Sequence, residues 1–139
     1  MSEGAGEAKI NILIKAITAQ KLDDKANHYT PVVFNFGVNM EESERKTDLA
    51  KIAFQMTMNT EPGIARFAIE GTAVITGEPG QIEKMLSADR ETQVPEIFTR
   101  IYQQAYSVVF MLAGTIDVPY PSPALLKKPH VQAPLPGQV

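Results

Sequence analysis

The side chains able to do covalent or metal chemistry are few, and their spacing favours none of it. There is no cysteine, which excludes disulfides, thiolate metal sites and cysteine nucleophiles. The two histidines are His28, inside the polar stretch LDDKANHYTP, and His130, near the C-terminus. Neither stands at a defined spacing from a serine or an acid, and general acid–base work needs partners held within hydrogen-bond reach, so both read as incidental surface residues. Glu41, Glu42 and Glu44 offer carboxylates to a cation. Their stretch, EESERKT, lacks the alternating Asp/Asn ligands and central glycine of a calcium loop and reads as a solvated connection. Gly77 and Gly80 flank Glu78 and Pro79 without the Lys-Ser/Thr pair that completes a phosphate loop, so a turn is the simpler assignment. The pattern points away from an enzyme, and no cofactor or metal is expected.

Composition narrows the field further. At 139 residues, 44% hydrophobic and 21% charged, the chain suits one globular domain with a core of its own. A net charge of -3, a pI near 5.4 and no basic run longer than Lys127-Lys128 argue against a protein that neutralises nucleic-acid phosphates. The opening MSEGAGEAK has neither the basic nor the apolar region of a signal peptide. No apolar run approaches the roughly 20 residues that span a bilayer. No nucleic acid, no integral membrane segment and a cytoplasmic location are therefore expected. Residues 1–8 are expected to be flexible, 9–128 to form a single domain, and 129–139 to be a disordered, Pro-containing tail.

The elements that would position any site follow from hydrophobic period. Residues 9–19 alternate, with Ile10, Ile12, Ile14 and Ala16 on one side, as a half-buried strand requires. After a polar connection at 22–31, residues 32–40 alternate again through Val32, Phe34, Phe36, Val38 and Met40. The charged stretch 41–47 reads as an exposed connection. Residues 49–59 place Ile52, Phe54, Met56 and Met58 on one face, and 64–75 do the same with Phe67, Ile69, Gly71, Ala73 and Ile75. The Pro62-Gly63 turn between them predicts a hairpin. Residues 81–86 suit one or two helical turns, and 87–93 a polar link. Four consecutive strands without strand–helix alternation predict an α+β fold, a four-stranded antiparallel sheet with a short and a long C-terminal helix packed on one face.

The long helix carries the strongest period. Val94, Ile97, Phe98, Ile101, Ala105, Val108 and Leu112 form a stripe for the sheet. Pro95 suits a first turn and Gly114 a helix end. Beyond Gly114 the chain is expected to run extended past its prolines to a last turn at 124–127. Tyr102, Tyr106, Val109, Phe110 and Ala113 add a second apolar flank, which predicts a second cover, either another copy of the chain or a client. Phe54, Met56 and Met58 are assigned to the core instead, because one sheet face must meet this helix.

That order and its ending resemble the SecB family of export chaperones. The likeness runs from about residue 9 to 126, through residues 13–18, the hairpin at 57–67, the helix end Gly114-Thr115, and then Ile116, Val118, Pro119, Pro123, Leu125 and Leu126. The resemblance implies a homo-oligomer, a dimer or a tetramer built as a dimer of dimers. It also implies an ATP-independent holdase for nonnative polypeptides, serving export or another system. Tyr29 is what remains of the family's client-lining aromatics in a shortened connection. Tyr102, Tyr106, Val109 and Phe110 are the candidates for client binding or self-association. Asp24 and Glu70 loosely match the acidic surface that docks on the translocase motor. From a different class, an adaptor for one dedicated partner, as in a toxin–antitoxin system, fits the same scaffold.

Overall fold

Four runs of alternating side chains become four strands in the computed structural model, which describes residues 8–88 and 94–124. In chain order they are β1 (Lys9–Lys21), β2 (Val33–Lys46), β3 (Leu49–Glu61) and β4 (Ala65–Thr76), followed by α1 (Pro79–Leu86) and α2 (Glu96–Ile116). The sheet order is β1-β4-β3-β2, antiparallel throughout. The expected flexible N-terminus, the polar link at 87–93, the last turn at 124–127 and the tail at 129–139 fall wholly or mostly outside the described residues.

The inner strands β3 and β4 follow the alternation most fully. Ala50, Ile52, Phe54, Met56 and Met58 from β3 meet Ala65, Phe67, Ile69, Ala73 and Ile75 from β4 in one buried layer. Their hairpin closes on Thr60, whose hydroxyl accepts the Ile64 and Ala65 N–H groups at 2.9 and 3.0 Å and donates to the Pro62 carbonyl at 2.7 Å. A buried hydroxyl with all its bonds made carries no desolvation penalty of consequence.

The edge strands depart from the simple pattern. In β1 the register shifts between Ile14 and Ala16, so Ile17 and Ala19, rather than Ala16, continue the core-facing side. A bulge of this kind admits one extra residue and changes which side chains face inward afterwards. Opposite it, Gly71 lies so close to β1 that a Cβ would stand 2.2 Å from the Leu13 carbonyl oxygen and 2.9 Å from Ile14 Cα. On the other edge, the charged stretch expected to be a connection is strand: β2 and β3 stay paired to Lys46 and Leu49, with a second bulge between Glu42 and Glu44. The β2 side chains from Glu41 to Lys46 are exposed apart from the half-buried Glu44, while Ala50 and Ile52 of the paired β3 stay buried, so the charges on this edge strand keep their water. Arg45 then clamps it, donating from Nε to Glu42 at 2.6 Å and from Nη1 to Glu83 of α1 at 2.9 Å.

Both helices lie on the lined face. α1 begins at Pro79, where the missing N–H is harmless, and buries Ile82 and Met85. Pro95 immediately precedes α2. The helix passes Gly114 and ends at Asp117, which takes left-handed backbone with φ 58° and ψ 57° while Val118 N–H returns to the Ala113 carbonyl at 3.0 Å. That six-to-one closure is what ends it. The core-facing side is Val94, Ile97, Phe98, Ile101, Tyr102, Ala105, Val109 and Ala113, all buried. Val108 and Leu112, expected on the sheet-facing stripe, are only half-buried.

Gly71→Ala should lower stability by about 2–3 kcal/mol, because the β1 backbone at Leu13 and Ile14 must move to admit the methyl group. Gly37→Ala, whose Cβ would meet only Thr57 Oγ1 at 3.5 Å, should be neutral or raise stability by about 0.5 kcal/mol. Urea unfolding of both variants measures the contrast.

Candidate functional site

The second flank of α2 is covered by the chain itself. Residues 118–122 fold back along the helix with Val118, Pro119 and Pro121 buried. Tyr102 donates its hydroxyl to the Ser122 carbonyl, and Tyr106 donates to the Pro121 carbonyl at 3.0 Å. The rings form a continuous file, with centroids 5.7 Å apart for Tyr102 and Tyr106, 6.2 Å for Tyr106 and Phe110, and 4.6 Å for Phe110 and Tyr120. Burial pushes the Tyr102 phenol well above its usual range, with a smaller push from Tyr106. The Tyr106 phenol is raised first by burial and then by Tyr120. Both therefore remain neutral donors. Of the five residues expected to face a partner or client, Tyr102 and Val109 are fully buried in this chain, Tyr106 is half-buried, and Phe110 and Tyr29 are exposed. The second cover that the helix required is largely residues 118–122.

Tyr29 sits in the connection between β1 and β2. Three local bonds shape it: Asp23 accepts from Lys25 N–H at 2.9 Å, Asn27 Oδ1 from Tyr29 N–H at 2.8 Å, and Thr30 Oγ1 from Asn27 N–H at 3.0 Å. These are the self-bonding turns that Asp, Asn and Thr favour. The connection is also tied to the end of α2. Asp117 Oδ1 accepts both the His28 N–H at 3.0 Å and a 2.6 Å contact from the His28 ring Nδ1. These bonds to His28, with a smaller contribution from Lys21, hold the Asp117 carboxyl below its ordinary value. His28, expected to be incidental, is thus a tether.

Several large apolar side chains remain in water. Leu13 is 59% exposed, Leu22 54%, Tyr29 66%, Met40 41%, Phe110 47% and Met111 59%. Met40 ends a graded series on β2: Phe34 is buried, and Phe36 and Val38 are half-buried. A shallow hollow beside it is lined by Asn39, Met40, Glu41, Ala53, Phe54 and Gln55. Such surfaces can bury apolar side chains of another polypeptide, and they present no convergent set of polar groups for small-molecule chemistry. Among the described residues no three His, Asp or Glu side chains group as a metal site, and no helix is long and apolar enough to cross a membrane.

The two acids expected to dock a translocase stand apart. Glu70 is exposed in the middle of β4 opposite Ala16, whereas Asp24 lies beyond Lys21, the partner of Ala65. The five steps from Ala65 to Glu70 alone span about 16 Å at the strand rise. Leu13, Leu22 and Met111 join the exposed apolar set without having been singled out in the sequence. For Met111 a signal existed, since residues 101–116 contain no charge and an outward-facing position there lacks the usual solvated side chain.

Comparison with known proteins gives a likeness of fold. No family model matches the sequence, and no curated protein matches it. A solved Mycobacterium tuberculosis SecB-like chaperone, in complex with a ChAD peptide from an antitoxin, superposes with a TM-score of 0.55 at 11% identity, over 84% of this chain and 88% of that one. The architecture is therefore a SecB-like α+β fold.

The Asp117 tether gives stability a signed pH dependence. A carboxyl lowered in the folded state contributes above its ordinary value of 3.8 and ceases to contribute as pH falls through the lower folded value. Thermal midpoints of the wild type and Asp117→Asn should differ most above the ordinary carboxyl value of 3.8 and converge as pH falls below it. Parallel melts across that range check it.

Proposed function

We propose that the protein is a cytoplasmic, ATP-independent chaperone that holds nonnative polypeptides, without catalysis and without a cofactor. The observation that carries this reading is the set of uncovered apolar side chains at Leu13, Leu22, Tyr29, Met40, Phe110 and Met111, set on a fold shared with a SecB-like chaperone. Apolar burial at about 25 cal/mol per Å² stabilises complexes without sequence-specific contacts, which suits a client that has not folded. Service in export through a translocase motor would use the exposed Asp24 and Glu70, which match the family's acidic surface only loosely. A second reading, an adaptor for one dedicated partner, is favoured by the antitoxin peptide held by the structural neighbour.

Self-association belongs to the same proposal. From Ile101 to Ile116 the helix has no charged residue, yet Gln103, Gln104, Ser107, Phe110, Met111 and Thr115 face outward. Uncharged helix faces containing exposed Phe and Met are what homomeric interfaces use. Light scattering should show a dimer or tetramer. Replacing both Phe110 and Met111 with Asp should shift it to smaller species, with association weakened at least about thirtyfold, equivalent to about 2 kcal/mol. A monomeric wild type at high micromolar concentration would refute that part of the proposal.

The two readings separate by client and salt. A holdase should bind a permanently unfolded model protein, ignore its folded counterpart, and weaken little between low and physiological salt. An adaptor working through Asp24, Glu70 or the Glu41–Glu44 acids should prefer one folded or dedicated basic partner and lose association rate as salt rises. Titrations of both forms at two salt concentrations measure this. Equal or tighter binding of the folded form would reject the holdase.

A further inference from the structure

The connection carrying Tyr29 is held on the body at few points. Leu22 N–H donates to the Ile64 carbonyl at 2.9 Å where β1 ends, and Ala26 and Val32 are buried. Between these anchors Asn27, His28 and Tyr29 are exposed. Their turn bonds, to Thr30 and Asn27, make the tip compact but do not fix it against anything else. The polar contact that does so is made by His28 to Asp117, through the backbone N–H and the ring together, both on the same carboxylate oxygen. One acceptor thereby sets both the position of the backbone just before Tyr29 and the orientation of the imidazole. The Tyr29 ring lies against that imidazole, with centroids 4.0 Å apart and planes tilted by 41°.

The acceptor is itself well placed. Asp117 occupies the left-handed position that closes α2, its own N–H turned back to the helix carbonyls. Its carboxylate is therefore carried by the helix rather than by a loose segment. We infer that Asp117 and His28 are positioning residues for Tyr29, setting its loop beside the last turns of α2 so that Tyr29 presents one binding surface with the helix end. The inference rests on the reading that the protein binds nonnative polypeptides. At that end of α2, Phe110 and Met111 are exposed and Leu112 and Ile116 are half-buried. An aromatic ring held in place before binding loses less freedom when a client arrives than one on a free loop.

The test compares full-length wild type, Asp117→Gly, Asp117→Asn, Tyr29→Ala and the Asp117→Gly/Tyr29→Ala pair in titrations with a permanently unfolded model protein. Glycine takes the left-handed backbone and removes the acceptor, while asparagine keeps both that backbone and an acceptor oxygen. Asp117→Gly should weaken binding about fivefold, within the range expected for ordering one side chain, and speed hydrogen exchange at the His28 amide. Asp117→Asn should remain within about twofold of wild type. The pair should bind no more weakly than Tyr29→Ala alone, which a general loss of structure would not produce. Unchanged affinity in Asp117→Gly, or a further loss in the Tyr29→Ala background, would overturn the positioning role while leaving the binding function intact. Failure of the wild type to bind would overturn both.

Discussion

The molecule is governed by a mismatch between the width of its sheet and the helices available to cover it. Four strands at about 4.8 Å spacing present a face about 15 Å wide, and a helix with its side chains covers about 10 Å. α2 lies over β1, and α1, only eight residues long, reaches β3. Burial is therefore complete on β4 and β3 and falls away along β2, from Phe34 to the exposed Met40. The exposure of Met40 is a consequence of that shortfall, whereas Leu13 lies on the opposite side of β1 from Ile12 and Phe110 and Met111 lie on the outer side of α2. A longer first helix, or a third one, would have covered Met40 and closed the core at β2.

The same mismatch explains what could be read from the sequence. The buried faces of strands β3 and β4 were legible, with bounds within two residues, because a strand buried on one face and wet on the other must alternate. The β1 bulge was less legible, although the change of phase from Ile14 to Ile17 marks it. The charges at 41–46 concealed strand, because on β2 itself that end of an edge strand is almost wholly exposed and so carries no hydrophobic alternation. On α2 the apolar residues surround so much of the circumference that the period leaves two orientations nearly equivalent. The choice between Val109 with Ala113 and Val108 with Leu112 is made by what packs on the helix from elsewhere, which no local pattern records. His28 and Asp117 are 89 residues apart, so their pairing had no sequence signature at all.

The irregular segment after α2 resolves a further difficulty in an economical way. Proline supplies no N–H, so a chain containing Pro119, Pro121 and Pro123 leaves carbonyl oxygens in search of donors. The Tyr102 and Tyr106 hydroxyls supply them at Ser122 and Pro121, and a nonrepetitive segment is thereby laid against an apolar helix without stranded polar groups. The two phenols, raised by burial, have no competing state in which they are charged. Aromatic residues that read as an open surface in the sequence are in this way the fastening of an internal cover.

Exposed apolar side chains are a hazard as well as a means of binding, and their surroundings divide them into two groups. Leu13 has Lys15 two positions away, Leu22 lies between Lys21 and Asp23, and Met40 precedes Glu41 and Glu42. Charge set beside each of these limits the size of any apolar patch and opposes indiscriminate association. Phe110 and Met111 have no such neighbour, since the charge-free run extends from residue 101 to 116. On the proposed function, the guarded residues suit transient contact with varied clients, where rim charges tune encounter more than strength. The unguarded pair suits a constant partner, which a second copy of the chain supplies at every concentration at which the protein itself is abundant. Tyr29 stands between the groups: it is the most exposed of the six, yet tied through His28 to the end of the helix that carries the unguarded pair.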